Sequence, residues 1–428
     1  MKKNINQEYS SSRRSFLKKS SIIATASALS VRSPYVFSKQ KTTLRVMGTH
    51  VTLQEEIRQK AMADLGINII FEPGGEAELI QKASTQPELF DVYEQWTDSI
   101  RQLWQAGAIQ PIETKKITHW EEINAISKTG KIHPNAQIGL GDSPHKILNV
   151  QPDSSLGENF TGEISFLPYV HNVDSFGYNS NIVPRGIPYQ TESWAWLLDD
   201  DWRGKVGIVN SPTIGIFDLA LAVQSKGFMQ FQDISNMSIN EIDELFRILI
   251  QYKKQGHFAG LWNTVPQSVD FMTSGRVVIE SMFSPAVASA NGQGIPVVYA
   301  APKEGYRAWH GVMCLSSQCE GQVKDAAYDY MNWWLEGWAG AYVAKQGYYI
   351  STPERSRPLM SENEWDYWYM GRPTPKALRG NDGKISVNAG DRRSGGSYHQ
   401  RFSNIAVWNT VMPNYDYSLQ KWYEFLLA

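Results

Sequence analysis

Apolar and polar positions along this chain change period repeatedly, from two to about 3.6 and back. Thr43-Leu44-Arg45-Val46-Met47-Gly48 alternates and breaks at a glycine, which predicts a first strand ending in a loop. Residues 53–65 carry apolar positions at helical spacing up to Gly66, a helix C-cap, and Ile67-Asn68-Ile69-Ile70-Phe71 reads as the next strand. A helix over 77–85, a strand at Phe90-Asp91-Val92-Tyr93 and a helix through Ile100, Leu103 and Trp104 ending at Gly107 continue the series. Short strands alternating with helices predict a parallel α/β sheet, whose ligands bind beyond the carboxyl ends of the strands. Residues 141–160 are rich in Gly, Ser, Pro and Asp and predict a surface excursion.

A second α/β unit begins near Phe176-Gly177-Tyr178-Asn179 and runs through a helix around Trp194-Trp196-Leu197, the turn Trp202–Lys205 and the strand Val206-Gly207-Ile208-Val209. Ser211-Pro212-Thr213 then opens a helix to about Gln224, with free amides able to receive an anion. Further expectations are helices over 240–255 and 324–335 and strands over 275–280 and 295–299. The tail from Trp365 is rich in Trp, Tyr and Gly with little periodicity, and no internal repeat is present.

The N-terminus has a different character. Ser12-Arg13-Arg14-Ser15-Phe16-Leu17-Lys18-Lys19 precedes the weak apolar run Ile22–Leu29, the order of a twin-arginine export signal, so residues 1–40 are expected to direct the folded chain through the twin-arginine translocase to the periplasm. What remains is longer than one core comfortably holds, which predicts two lobes. With 41 basic and 43 acidic residues the formal charge is −2, which gives no basic footprint for nucleic acid. Cys314 and Cys319 are five apart and leave both a disulfide and buried thiols open. The 15 Trp, 20 Tyr and 16 Phe are the compositional outlier, serving cores first and ligand cages second.

The strand and loop Leu44–His50, together with Gly66–Ile70, Phe90–Tyr93, Leu167-Pro168-Tyr169, Phe176–Asn179, Glu192-Ser193-Trp194, Trp202–Val206, Gly275–Val278 and Pro302–Gly305, form an ordered set of landmarks. In that order and spacing the chain resembles the periplasmic solute-binding proteins of ABC importers, in particular the spermidine/putrescine-binding group. The resemblance implies an α/β, two-lobed, periplasmic-binding-protein-like fold of type II. Lobe 1 would take 42–169 and 284–345, and lobe 2 would take 170–283 and 346–428. Two crossing segments, near Tyr169–His171 and Met282–Ser284, would join the lobes around a ligand cleft. It further implies a monomer that delivers a small solute to a membrane permease, without catalysis, cofactor or metal.

Polyamine binders of that group hold ammonium groups with carboxylates. Here the loop after Val206–Val209 reads Asn210-Ser211-Pro212-Thr213-Ile214-Gly215 with no acid, Phe283 stands where a cage tryptophan is expected, and Pro285 offers no charge. Arg307 lies instead in a stretch that faces the cleft in the family, so the expected ligand carries a carboxylate or is zwitterionic, with a polyamine as the alternative. The candidate ligand-binding residues are Thr49, His50, Gln95, Trp96, His171, Asp174, Ser211, Thr213, Trp262, Phe283, Arg307 and Trp309. An exported hydrolase and a metal-capture protein are the competing classes. The chain has no Gly-x-Ser-x-Gly elbow, no His-Glu-x-x-His and no glycine-rich phosphate loop to support catalysis.

Overall fold

The computed structural model describes residues 41–428; the expected export signal at 1–40 lies outside them. One continuous sheet runs through the molecule. Its strands lie in the order Phe258–Trp262, Val206–Val209, Ile279–Met282, Leu167–Asn179, Tyr306–Ser316, Val92–Trp96, Thr43–Gly48 and Asn68–Pro73. The outer three at each end pair in parallel, as the βα alternation predicts. The two central strands are antiparallel to each other and to their outer neighbours. Helices cover both ends, among them Glu55–Leu65, Glu76–Thr85, Pro212–Ser225 and Ile239–Lys254. The first helix stops at Gly66 with φ 69°, the left-handed cap its position demanded. Ser238 caps the 239–254 helix in a reciprocal box with Glu241.

The central pair carries the connection between the lobes. Leu167–Asn179 is thirteen residues long and buried throughout. Up to Asp174 it pairs with Tyr306–Ser316 in the lobe-1 sheet, and from Ser175 onward it pairs with Met282–Ile279 of lobe 2. The first crossing therefore falls at Asp174–Ser175, a few residues beyond Tyr169–His171. The second crossing differs from expectation by more. Met282–Ser284 does not leave lobe 2: the helix Ser284–Gly292 that follows contributes Ala286, Val287 and Ala290 to the core containing Trp262 and Met272. Val297–Tyr299 still pairs with the lobe-2 end of the long strand, so the chain recrosses over 300–306. The apolar residues of 284–292 need a face to cover, and lobe 2 supplies the nearest one.

The tail is ordered despite its weak periodicity. Helices Glu362–Trp368 and Tyr398–Phe402 and strand Ile405–Trp408 build a separate aromatic core with Val173, Ala308 and Tyr349, beside the central strands. Helix Tyr415–Leu427 then buries Trp422 and Phe425 in the lobe-2 core. The tail expected wholly in lobe 2 thus makes a third link between the halves. The strand expected at 275–280 begins at Ile279, after a turn at Gly275 (φ 73°). Cys314 and Cys319 are buried free thiols, so no disulfide forms. Among the described residues no helix is long and apolar enough to cross a membrane.

Candidate functional site

The carboxyl ends of the parallel strands from both lobes converge. Strand Thr43–Gly48 ends where a Cβ on Gly48 would collide with the Glu94 carbonyl, and that same carbonyl accepts the Thr49 N–H at 3.1 Å. Thr49 is thereby held, while His50 is exposed at the loop tip. Strand Val92–Trp96 buries Gln95 and leaves Trp96 half-buried at its end, its ring 4.5 Å from that of Trp309. From lobe 2, Trp262 and Phe283 meet edge to face at 4.9 Å, with the Trp262 indole N–H fixed on Ser281 O at 3.0 Å. Trp262 is fully buried in the core below Phe283, which is half-buried.

The hydroxyls of Ser211 and Thr213, at the start of helix Pro212–Ser225, are engaged by a carboxylate of the protein itself. Glu76, the first residue of a lobe-1 helix, accepts from Ser211 Oγ at 3.0 Å and from Thr213 Oγ1 through its other oxygen. The free amides and hydroxyls of a helix start favour a carboxylate there. Beside Glu76 lies Asp98, in the turn that follows Trp96. Asp98 is 1 % exposed, and neither of its carboxylate oxygens has a hydrogen-bond partner among the described residues. Burial first, and then the charge of nearby Glu76, push its carboxyl well above the usual range. A cation placed between the two acids would reverse that shift.

At the crossing the sequence candidates are placed differently. Arg307 is fully buried; its Nε donates to Asp218 Oδ1 at 2.7 Å, its Nη1 to Asn409 Oδ1 at 3.1 Å, and its Nη2 lies 3.8 Å from Asp174 Oδ2. Asp174 is also held by Trp309 Nε1 at 2.7 Å and the Tyr299 hydroxyl at 2.9 Å. Burial raises the carboxyls of Asp174 and Asp218, the latter to about 6, against the opposing pull of Arg307. Burial would lower the Arg307 guanidinium, but the two carboxylates outweigh it and hold it charged. Arg307 is therefore committed to the protein's own acids instead of facing a ligand anion. His171 is likewise internal: it stacks on His310 at 4.8 Å, bonds the Tyr398 hydroxyl at 2.8 Å, and is driven toward its neutral form by burial.

The structure thus brings Thr49, His50, Trp96, Ser211, Thr213, Trp262 and Phe283 to the converging strand ends. It places His171, Asp174 and Arg307 inside the crossing, with Gln95 and Trp309 between the two groups. Asp98 is, with Asp174 and Glu280, one of the acids to which the polyamine alternative points in the sequence; Glu76 and Asp218 are not among the sequence candidates. Asp98 follows Trp96 by two residues in a turn beyond a strand's carboxyl end, which was the available signal; Glu76 and Asp218 sit on helices with ordinary surroundings.

The family described as bacterial extracellular solute-binding protein matches residues 56–367. No curated protein matches the chain by sequence. Among solved structures it is similar to PotD, the spermidine/putrescine ABC transporter substrate-binding protein of Streptococcus pneumoniae, at 13 % identity and TM-score 0.59, covering 90 % of this chain and 99 % of that one. It is similar to the TpPotD lipoprotein of Treponema pallidum at 12 % identity and TM-score 0.61 over 90 % and 99 % of the two chains. The AgtB binding protein from A. tumefaciens R10, in complex with agropinic acid, has TM-score 0.53 and 12 % identity, again over 90 % and 99 %. The chain belongs to the bacterial extracellular solute-binding protein family, and it shares the fold of these binding proteins.

Proposed function

We propose that the chain captures a small solute carrying an ammonium group, as a monomer in the periplasm after twin-arginine export, and hands it to an ABC permease. Asp98 carries the assignment: a buried carboxyl with both oxygens unpartnered, next to a second carboxylate, at the strand ends where ligands of α/β folds bind. An unpaired buried charge is costly, and an ammonium offsets it. Trp96 on one wall and Trp262 with Phe283 on the other supply aromatic faces for a cation or an apolar stem. A zwitterion fits best, because Ser211 and Thr213 already donate to a carboxylate and would accept one from the ligand in place of Glu76. A polyamine is the second reading, favoured by the pairing of Glu76 with Asp98. Neither assigns the chain a catalytic role.

Calorimetry with putrescine, γ-aminobutyrate and succinate separates these readings, since the three share a four-carbon spine and differ in charge. Binding of at least one amine is expected, weakened by roughly 30-fold or more in Asp98→Asn. Binding of succinate alone, untouched by Asp98→Asn, overturns the assignment. The export step is read from the N-terminus: Arg13→Lys with Arg14→Lys is expected to hold precursor in the cytoplasm. Normal periplasmic accumulation of that double variant would rule the route out.

A further inference from the structure

A cavity of about 580 Å³ lies between helix Ser284–Gly292 of lobe 2 and the tail around 386–401, and Asp98, Ser211 and Trp262 are not among its lining residues. Two of its lining residues are buried arginines, Arg393 and Arg401. Among the described residues no carboxylate approaches either guanidinium within 4 Å, in contrast to Arg307. Arg393 donates from Nη2 to Gly347 O at 3.1 Å and lies 4.5 Å over the Trp368 ring, with its Nε unpartnered. Arg401 donates to the carbonyls of Ser394 and Val173 at 2.9 and 3.0 Å and lies 4.9 Å over the Tyr306 ring, its Nε also unpartnered. Burial lowers Arg393, and the neighbouring Arg401 lowers it further. Gly395 and Gly396, at φ 77° and 81°, allow the loop to turn both side chains inward.

Arg185 and Arg392 also line the cavity, against two carboxylates. Glu192 is occupied by the Tyr178 hydroxyl at 2.7 Å and the Ala301 amide at 2.6 Å, and Asp391 is exposed and accepts the Asn388 amide at 3.2 Å. The balance inside is positive. Carbonyl dipoles and ring faces offset part of the cost of two buried guanidiniums, but a full counter-charge is missing. The volume falls within the range of small-molecule sites. Trp368, Tyr367 and Tyr299 provide flat walls. Both arginines lie beyond the segment 56–367 that matches the solute-binding family.

We propose that this cavity is a second ligand site, separate from the inter-lobe cleft, which binds a small oxyanion with a flat apolar body through Arg393 and Arg401. An oxyanion accepts planar charge-assisted hydrogen bonds from guanidinium, and the aromatic walls cover the body. Occupancy would tie the tail to lobe 2, because the site takes residues from both.

Phenyl phosphate is the probe, with phenol and inorganic phosphate as controls, added to the chain from Lys41 onward. A rise in thermal midpoint with phenyl phosphate, larger than with either control, is expected. Arg393→Gln should weaken binding about 30-fold or more. Ala288→Trp fills the cavity from the helix without removing a buried charge and should abolish the rise, so it decides the matter alone if Arg393→Gln does not fold. Asp98→Asn, in the cleft, should leave the rise intact, which keeps this site's fate separate from that of the proposed solute. No rise in the wild-type chain, or a rise that survives Ala288→Trp, overturns the site. A rise lost in Ala288→Trp but kept in Arg393→Gln overturns the guanidinium assignment.

Discussion

A charged side chain inside a protein is informative chiefly through its partner, and the buried charges here divide on that criterion. Arg307 and Asp174 are directly opposed across the two central strands, and Asp218 reaches them from helix Pro212–Ser225. Cross-strand register, which sequence does not give, converts an apparent ligand anchor into a structural ion pair. Asp218→Asn should therefore lower the unfolding free energy by about 3–5 kcal/mol in urea titrations, because it leaves Arg307 buried with only the more distant Asp174. A loss below about 1 kcal/mol would show that the pair is not structural. Glu94 gives a pH prediction. Its fully buried carboxyl accepts from Tyr169 at 3.0 Å and Tyr330 at 2.7 Å, and burial lifts it to about 7. The folded chain holds this proton more tightly than the unfolded chain, whose glutamates titrate near about 4.3, so stability falls as pH rises from there through about 7. Glu94→Gln should flatten that slope and be the more stable chain at pH ~8, by at most about 4 kcal/mol. Unfolding midpoints at pH ~5 and ~8 check it; an unchanged slope removes Glu94 as its cause.

Short elements bounded by cap, glycine or loop signals are legible, including the fully buried strand Val206–Val209, whereas the two long central strands are not. The strand at Thr43–Gly48, the helix ending at Gly66 and the helix over 239–254 follow from period, cap and glycine signals. Leu167–Asn179 and Tyr306–Ser316 defeat period-two reading because both faces are covered and the polar residues among them, Asn172, Asp174, Arg307 and His310, are paired inside. Ser211 shows the same limit at a helix start. It has the identity of an N-cap, yet its hydroxyl goes to Glu76 of the opposite lobe instead of to its own helix. The candidate loops after Gly48, Trp96 and Val209 were legible because strand ends are marked by breaks in pattern; the acids that charge the site depend on three-dimensional neighbours. Gly48→Ala tests how closely the first loop is held. The added methyl meets the backbone of Glu94, which has little room to shift, so the variant should lose about 1–3 kcal/mol and weaken solute binding through Thr49. Unaltered unfolding and binding would mean that the strand ends separate without cost.

For the molecule as a whole, Glu76 joins lobe 1 to Ser211 and Thr213 of lobe 2 and so describes a closed arrangement. Opening has to bend the chain where the long strand changes partners at Asp174–Ser175, along 300–306, and in the tail before helix Tyr415–Leu427. That last helix constrains the motion. Trp422 and Phe425 pack on Phe246, and the Trp422 indole donates to Asn210 Oδ1 at 3.1 Å, tying the tail to a cleft loop. The bridge across the cleft is a protein carboxylate at a helix start, an interaction of only modest strength. A solute that engages both walls would replace or reinforce it and shift the population toward the closed form. Glu76→Ala removes the internal bridge. Without solute its radius of gyration by small-angle scattering should exceed that of the wild-type chain. Affinity for a polyamine should fall, because the competent fraction is smaller and a carboxylate is lost. A zwitterion that takes Glu76's place should instead bind as well or better, since the competing carboxylate is gone. Equal radii for the two solute-free chains would show that the central strands and the tail, rather than Glu76, set the closed geometry.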